Sequence, residues 1–72
     1  MTDYKSHLRR LRENYNVLMA QKARWAAEPP LTLLNQIADH KTAIDLTEQA
    51  LTGDLSQADW LAKVQPLLVA IN

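Results

Sequence analysis

The chain has no cysteine, no phenylalanine and only one glycine among its 72 residues. Without cysteine it can form neither a disulfide framework nor a thiolate metal site, and that composition is typical of a reducing compartment. No stretch approaches the roughly 20 apolar residues that cross a bilayer, and no secretory signal pattern opens the chain. We therefore expect a cytoplasmic protein that has no membrane partner.

The composition favours one small folded domain with a thin core. Apolar residues make up 47% of the sequence and the formal net charge is zero, whereas a disordered chain has fewer apolar residues and a larger net charge. We assign residues 1–72 to a single helical domain. Because so short a chain buries little apolar surface, we expect another copy or the rest of a longer polypeptide to cover it. The apolar run 67–71 favours a domain excised from a longer chain, with a short natural protein as the alternative.

A heptad pattern predicts the first helix, from about Thr2 as its N-cap to about Ala27. Its apolar residues follow one another in steps of four and three. This spacing is typical of helices that pack side by side at a small crossing angle, about 20°. They are Tyr4, Leu8, Leu11, Tyr15, Leu18 and, after a skipped site held by Lys22, Trp25. Pro29 and Pro30 end this helix, because the residue before a proline is pushed out of the helical region.

The second helix is predicted over about 30–52. Pro30 suits its first turn, and Gly53 is placed to end it in a left-handed conformation. Its apolar stripe comprises Leu33, Leu34, Ile37, Ala43, Ile44, Ala50 and Leu51, with His40 or Lys41 at the remaining site.

The third helix is predicted over about 56–71. Ser56 is the expected N-cap because Asp59 follows it at capping-box spacing. Pro66 removes one backbone hydrogen bond and predicts a kink or an early end near Val64. The apolar residues of this helix are Trp60, Leu61, Val64, Leu67, Leu68 and Ile71.

Together these segments predict an all-α fold. Residues of about 2–27 and 30–52 form an antiparallel helical hairpin, because short connections join antiparallel neighbours. The shorter helix of about 56–71 packs across it and completes a small bundle. Alternating apolar runs and Asn-Gly or Asp-Gly turns, which would indicate β-structure, are absent from the sequence.

The sequence offers no convergent set of catalytic groups. Its two histidines, His7 and His40, fall on different predicted helices, and no His-x-x-x-His spacing places two metal ligands on one helix face. We expect both histidines at the surface or at the edge of the apolar seam. Ser6 and Ser56 lack the context of a nucleophile, and one glycine cannot form a phosphate-binding loop. We therefore expect no enzymatic activity, no cofactor and no metal site.

The zero net charge hides an asymmetry between the first helix and the rest. Residues 1–24 carry a surplus of four positive charges, and residues 25–72 an equal negative surplus. The basic flank can face the acidic flank of the second helix within one hairpin, or meet the acidic flank of another molecule. The cluster Arg9, Arg10 and Arg12 can also follow a phosphate backbone. The six carboxylates of the remainder and the absence of a recognition helix argue against nucleic acid.

Several apolar residues lie off the predicted seams. They are Val17, Met19, Leu31, Leu46 and Val69. Each of them alone is more readily explained as core, packed against the third helix. Any that stay exposed would form a protein-binding patch.

The second helix also carries a resemblance to a known family. It begins with the run Pro30-Leu31-Thr32-Leu33-Leu34-Asn35-Gln36-Ile37-Ala38-Asp39, which Ile44 and Leu51 follow, and upstream lie Leu11, Tyr15, Leu18 and Lys22-Ala23-Arg24. This pattern resembles the effector-associated, death-like adaptor modules of bacterial multidomain conflict proteins, which lie beside NACHT-type NTPases, TIR domains and caspase-like or trypsin-like peptidases. The resemblance implies a helical module without catalysis that brings a sensor and an effector together through contacts between like modules.

We therefore expect a protein–protein interaction module that self-associates or docks a like domain, homotypic or heterotypic. A small nucleic-acid-binding regulator and a structural spacer hairpin are the alternatives. The charged residues expected to contact a partner are Arg9, Arg10, Arg12, Asp39, Asp45 and Glu48, and the apolar ones are Val17, Met19 and Trp25.

Overall fold

A computed structural model describes residues 3–25 and 27–71, and of residues 68–71 only the backbone. Helix α1 spans Tyr4–Arg24, α2 spans Leu31–Thr52 and α3 spans Gln57–Ile71. Helices α1 and α2 pack together as a hairpin, and the shorter α3 packs against α2. No strand occurs in the described part of the chain. The predicted all-α fold, a hairpin with a shorter third helix, is confirmed.

Helix α1 starts one residue later than predicted, with Asp3 as its N-cap. The Asp3 carboxylate accepts hydrogen bonds from the backbone N–H of Ser6 at 3.1 Å and from the Ser6 hydroxyl at 2.6 Å. The Asp3 carboxylate thus satisfies one of the backbone N–H groups that the first turn leaves unpaired. The assignment of the cap to Thr2, which lies outside the described residues, is therefore wrong.

This cap makes the stability of α1 depend on pH. The two hydrogen bonds from Ser6, the hydroxyl first, lower the pKa of Asp3 from its ordinary 3.8. Because the folded-state pKa is the lower one, the stabilisation is complete above the unfolded-state pKa and is lost as the pH falls through the folded-state value. Asp3→Asn keeps a good cap without the charge, so we expect its stability to vary less with pH between about pH 5 and about pH 2. If urea unfolding gives the wild type and Asp3→Asn the same change in the free energy of unfolding with pH, this assignment is wrong.

The connection between α1 and α2, which we call the tip of the hairpin, begins and ends at other residues than predicted. Helix α1 ends at Arg24 instead of about Ala27, and Trp25 is extended, with φ −79° and ψ 126°. Pro29 and Pro30 have no N–H to donate to the carbonyls four residues earlier, so a longer helix would lose its last hydrogen bonds. Pro30 is the N-cap of α2, with φ −59° and ψ 144°, and not its first helical residue.

The end of α2 and the start of α3 agree with the predictions, whereas the effect predicted for Pro66 on α3 differs. Gly53 is left-handed, with φ 88°, and its N–H donates to the Ala50 carbonyl, as predicted. Ser56 Oγ accepts from the backbone N–H of Asp59 at 3.2 Å, which confirms the predicted cap. Helix α3 continues through Pro66. The early end expected near Val64 is wrong because the proline removes only one hydrogen bond of the helix.

Trp60 joins the three helices at the open end of the hairpin. Only 2% of the residue is exposed, and it packs with Val64 and Ala50. Its ring meets Tyr4 of α1 edge to face, with centroids 5.1 Å apart. Its indole N–H donates to the hydroxyl of Thr47 on α2 at 3.0 Å. This cluster holds α3 against the hairpin.

Helix α3 covers only part of the hairpin, and several apolar residues predicted as core are exposed. Leu8, Leu11 and Leu33 are buried, and Leu46 packs into the Trp60 cluster, as predicted. The exposed residues are Val17, Met19, Trp25, Leu31, Leu34, Leu51 and Leu61. Five of them belong to residues 17–34, around the tip, whereas the Trp60 cluster lies at the opposite end of the hairpin. The side chain of Val69 lies outside the described part.

Candidate functional site

One side of α1 carries a stripe of polar and basic residues. Lys5, Arg9, Arg12 and Asn16 follow one another in steps of four and three, which places them on one helix face. They line a shallow groove beside α2, together with Leu8, Glu13 and Leu51. Arg9 is exposed, and the described residues place no carboxylate within 4.0 Å of its guanidinium. Three cations against the one carboxylate of Glu13 give the lining of this groove a net positive charge.

An acidic stripe on α2 runs beside this groove. Asp45, Glu48, Gln49 and Thr52 line a second shallow groove. The two stripes meet where Arg12 Nη2 donates to Glu48 Oε1 at 2.6 Å. We call the surface formed by both stripes and by Leu51 the open face. It presents positive charge along α1 and negative charge along α2, with apolar surface between them.

The open face lies on the side of the hairpin that α3 does not cover. Leu46 and Ala50 of α2 pack against α3, and at about 100° per residue Glu48 points roughly the opposite way from both. On α1, the His7 ring contacts Trp60 of α3, with centroids 5.3 Å apart. Arg9 lies about 200° around α1 from His7. Arg9 and Glu48, which represent the two stripes, therefore lie on the side of their helices away from α3.

The Arg12–Glu48 pair is expected to contribute little to the fold. Its side chains are 56% and 45% exposed, and solvent-exposed ion pairs contribute roughly 0.2–1 kcal/mol. In a double-mutant cycle with Arg12→Ala and Glu48→Ala, we expect a coupling free energy below about 1 kcal/mol. Added salt should reduce it further. A coupling of several kcal/mol in urea unfolding would assign this pair to the fold instead of to the surface.

Five of the nine residues expected to contact a partner fall on the open face. They are Arg9, Arg12, Met19, Asp45 and Glu48. Met19 belongs there because it follows Arg12 by seven residues, two helical turns along the same face, and it is exposed. Four of them line the two grooves that the Arg12–Glu48 pair connects, and Met19 lies on the same face of α1 towards the other end of the hairpin.

The other four expected contact residues lie elsewhere. Arg10 and Val17, seven residues apart, share a more outward face of α1, and both are exposed. Asp39 is half-buried and lies in the stripe of Ala43, Leu46 and Ala50, on the side of α2 that faces α3. Trp25 is 51% exposed at the end of α1. The structure does not bring these four together with the open face.

His40 is a buried residue that the sequence-based expectation placed at the surface or the seam edge. Only 3% of it is exposed, whereas Lys41 is exposed, so His40 holds the remaining site of the stripe. Its Nδ1 donates to the Gln36 carbonyl at 2.7 Å, since a carbonyl can only accept. Its Nε2 has no hydrogen-bond partner among the described residues. Ala43 and Thr47, three and seven residues after His40, are both fully buried. This helical spacing is the signal that could have predicted the burial of His40.

No metal-binding cluster and no membrane-spanning helix is found in the described part of the chain. Within residues 3–25 and 27–71, no three His, Asp or Glu side chains are grouped so that they could hold a metal ion. In the same residues, no helix combines the length and apolar character that crossing a membrane requires. Comparison with known proteins finds no matching family model, no matching curated protein and no matching solved structure.

Proposed function

We propose that this chain is a non-enzymatic protein–protein interaction module, which self-associates or docks a like helical domain to recruit an effector. The proposal places it with the effector-associated, death-like adaptor modules of bacterial defence proteins, which its second helix resembles, in the cytoplasm. The observation that carries the proposal is the open face. A helical hairpin whose third helix covers only one side leaves a long surface for a partner.

The chemistry of the open face is suited to another protein. It combines apolar Leu51 and Met19 with charges of both signs, Arg9 and Arg12 on α1 and Glu48 on α2. Protein interfaces pair an apolar centre with a polar rim, and complementary charges select the partner and set its orientation. On a surface that carries both signs of charge, each charge can pair with an opposite charge on another surface of the same kind.

A nucleic-acid partner is the second candidate, and the basic groove on α1 is the observation that favours it. Lys5, Arg9 and Arg12 line this groove. However, Arg12 is already paired with Glu48, and Asp45 lies on the same open face, so a phosphate backbone would also meet carboxylates. Because phosphate contacts are strongest at low salt, a gel shift of a short DNA duplex at low salt separates the candidates, and we expect no shift.

Size-exclusion chromatography with light scattering tests the proposal. The chain has a mass of 8.2 kDa, and we expect the measured mass to rise towards twice that value between micromolar and high micromolar concentration. Leu51→Lys places a charge between the two stripes of the open face and should hold the chain as a monomer. Leu31→Lys is the matched control, because Leu31 is 72% exposed at the other end of α2 and should leave the association unchanged. A folded chain that stays monomeric throughout would contradict self-association.

A further inference from the structure

We infer that the open face binds a second copy of this chain, and that the two hairpins lie parallel, with their tips at the same end. This inference rests on the proposed function and adds the identity and the orientation of the partner. It follows from the arrangement of charge on the open face. The basic stripe of α1 and the acidic stripe of α2 run side by side along one hairpin.

Two symmetric ways exist to place two copies face to face through this surface, since a closed dimer uses the same patch twice around a two-fold axis. If the axis runs along the helices, α1 of each copy faces α2 of the other. If the axis crosses the helices, α1 faces α1 and α2 faces α2. The first arrangement brings opposite charges together, and the second brings like charges together, which disfavours it.

The parallel arrangement keeps each residue at its own height along the hairpin. Arg12 lies level with Glu48 because the two side chains are bonded within one chain. Arg9 lies three residues from Arg12, about 4.5 Å along the helix axis, so a long arginine side chain reaches Glu48 of the second copy. Each Glu48 then lies between Arg12 of its own chain and Arg9 of the other.

The resulting four-helix bundle also covers the exposed apolar residues of the open face. Every neighbouring pair of helices in it is antiparallel, as in up-and-down bundles. Leu51 and Met19, both exposed in one chain, lie between the two hairpins. Helix α3 stays on the outside of each hairpin, against Leu46 and Ala50, so the contact needs no rearrangement of the Trp60 cluster.

Charge reversal tests both the partner and its orientation. Arg9→Glu alone and Glu48→Lys alone should each weaken dimerisation about tenfold at low salt, because each reversal creates two repulsive contacts in a symmetric dimer. An equimolar mixture of the two variants should associate as tightly as the wild type, since the carboxylate introduced in one copy then faces the ammonium group introduced in the other. Arg10→Glu and Asp59→Lys are the matched controls, because both residues are exposed and lie off the open face. Circular dichroism checks the fold of each variant.

Each result of sedimentation equilibrium has a distinct meaning. Weakening by each single reversal with recovery in the mixture supports the parallel dimer. Tighter association of the Arg9→Glu variant identifies the crossed arrangement, in which the reversal removes repulsion between two α1 helices, and overturns the inference. A dimer unaffected by either reversal also overturns it but leaves the proposed function standing. A wild-type chain that stays monomeric overturns this inference and the self-associating form of the proposed function. Binding of duplex DNA lost in Arg9→Glu would assign the basic groove to nucleic acid.

Discussion

Replacing Trp60 by alanine is expected to release α3 from the hairpin and to lower the free energy of unfolding by about 3–5 kcal/mol. Trp60 is 2% exposed, contacts Tyr4 and His7 of α1, and donates its indole N–H to Thr47 of α2. A domain of this length has a total stability of roughly 4–11 kcal/mol. The substitution therefore removes a large share of the stability.

Urea unfolding followed by circular dichroism measures this effect. Trp25→Ala is the matched control, because the same side chain is removed at a position that is 51% exposed. We expect this control to change the free energy of unfolding by no more than about 0.5 kcal/mol, as is usual at surface sites. Equal losses for the two variants would mean that Trp60 is not the residue that holds α3 in place.

Replacing Thr47 by valine is expected to destabilise the protein by about 1–3 kcal/mol, although the side chain keeps its shape. Thr47 is fully buried. Its hydroxyl accepts from the Trp60 indole at 3.0 Å and donates to the Ala43 carbonyl at 2.7 Å. Valine removes the acceptor and leaves the indole N–H buried without a partner, which costs more than the loss of an exposed hydrogen bond.

Two further variants isolate this effect in the same unfolding measurement. Thr47→Ser keeps the hydroxyl and removes one methyl group, so its loss should be near 0.8 kcal/mol. Thr42→Val removes the same kind of bond, since the Thr42 hydroxyl donates to the Ala38 carbonyl at 3.0 Å, but at an exposed position. We expect Thr42→Val to be almost neutral. A Thr47→Val variant as stable as the wild type would show that the indole finds another acceptor.

The positions and order of the helices could be predicted from the sequence because their signals are local. The heptad steps, Gly53 and Ser56 each act within one or two turns. Gly53 and Ser56 lie where they were predicted, whereas the last heptad residue, Trp25, lies beyond the end of α1. Burial could not be predicted as well, because it depends on which side α3 covers. Leu34 and Leu51 belong to the apolar stripe of α2 yet are exposed, and neither packs into the Trp60 cluster. Polar Thr47 is buried because the Trp60 indole supplies its partner.

The candidate site was predictable in its charges but not in its extent. Arg12 lies in the basic part of the sequence, residues 1–24, and Glu48 in the acidic remainder. Their pairing within one hairpin is one of the arrangements that the sequence left open. The six-residue spacing of Asp39 and Asp45 places them on different faces of one helix, but it does not show which of the two faces α3 covers. Only the packing of α3 determines which face stays free.

The most direct test of association through the open face is a dilution series followed by ¹H–¹⁵N nuclear magnetic resonance spectra. As the concentration rises, we expect the amide signals of Arg9, Arg12, Met19, Glu48 and Leu51 to shift together along one binding curve. The signals of Leu31 and Asp59, which lie off the open face, should stay in place. Spectra that do not change with concentration, or shifts confined to residues off the open face, would contradict the proposed interaction.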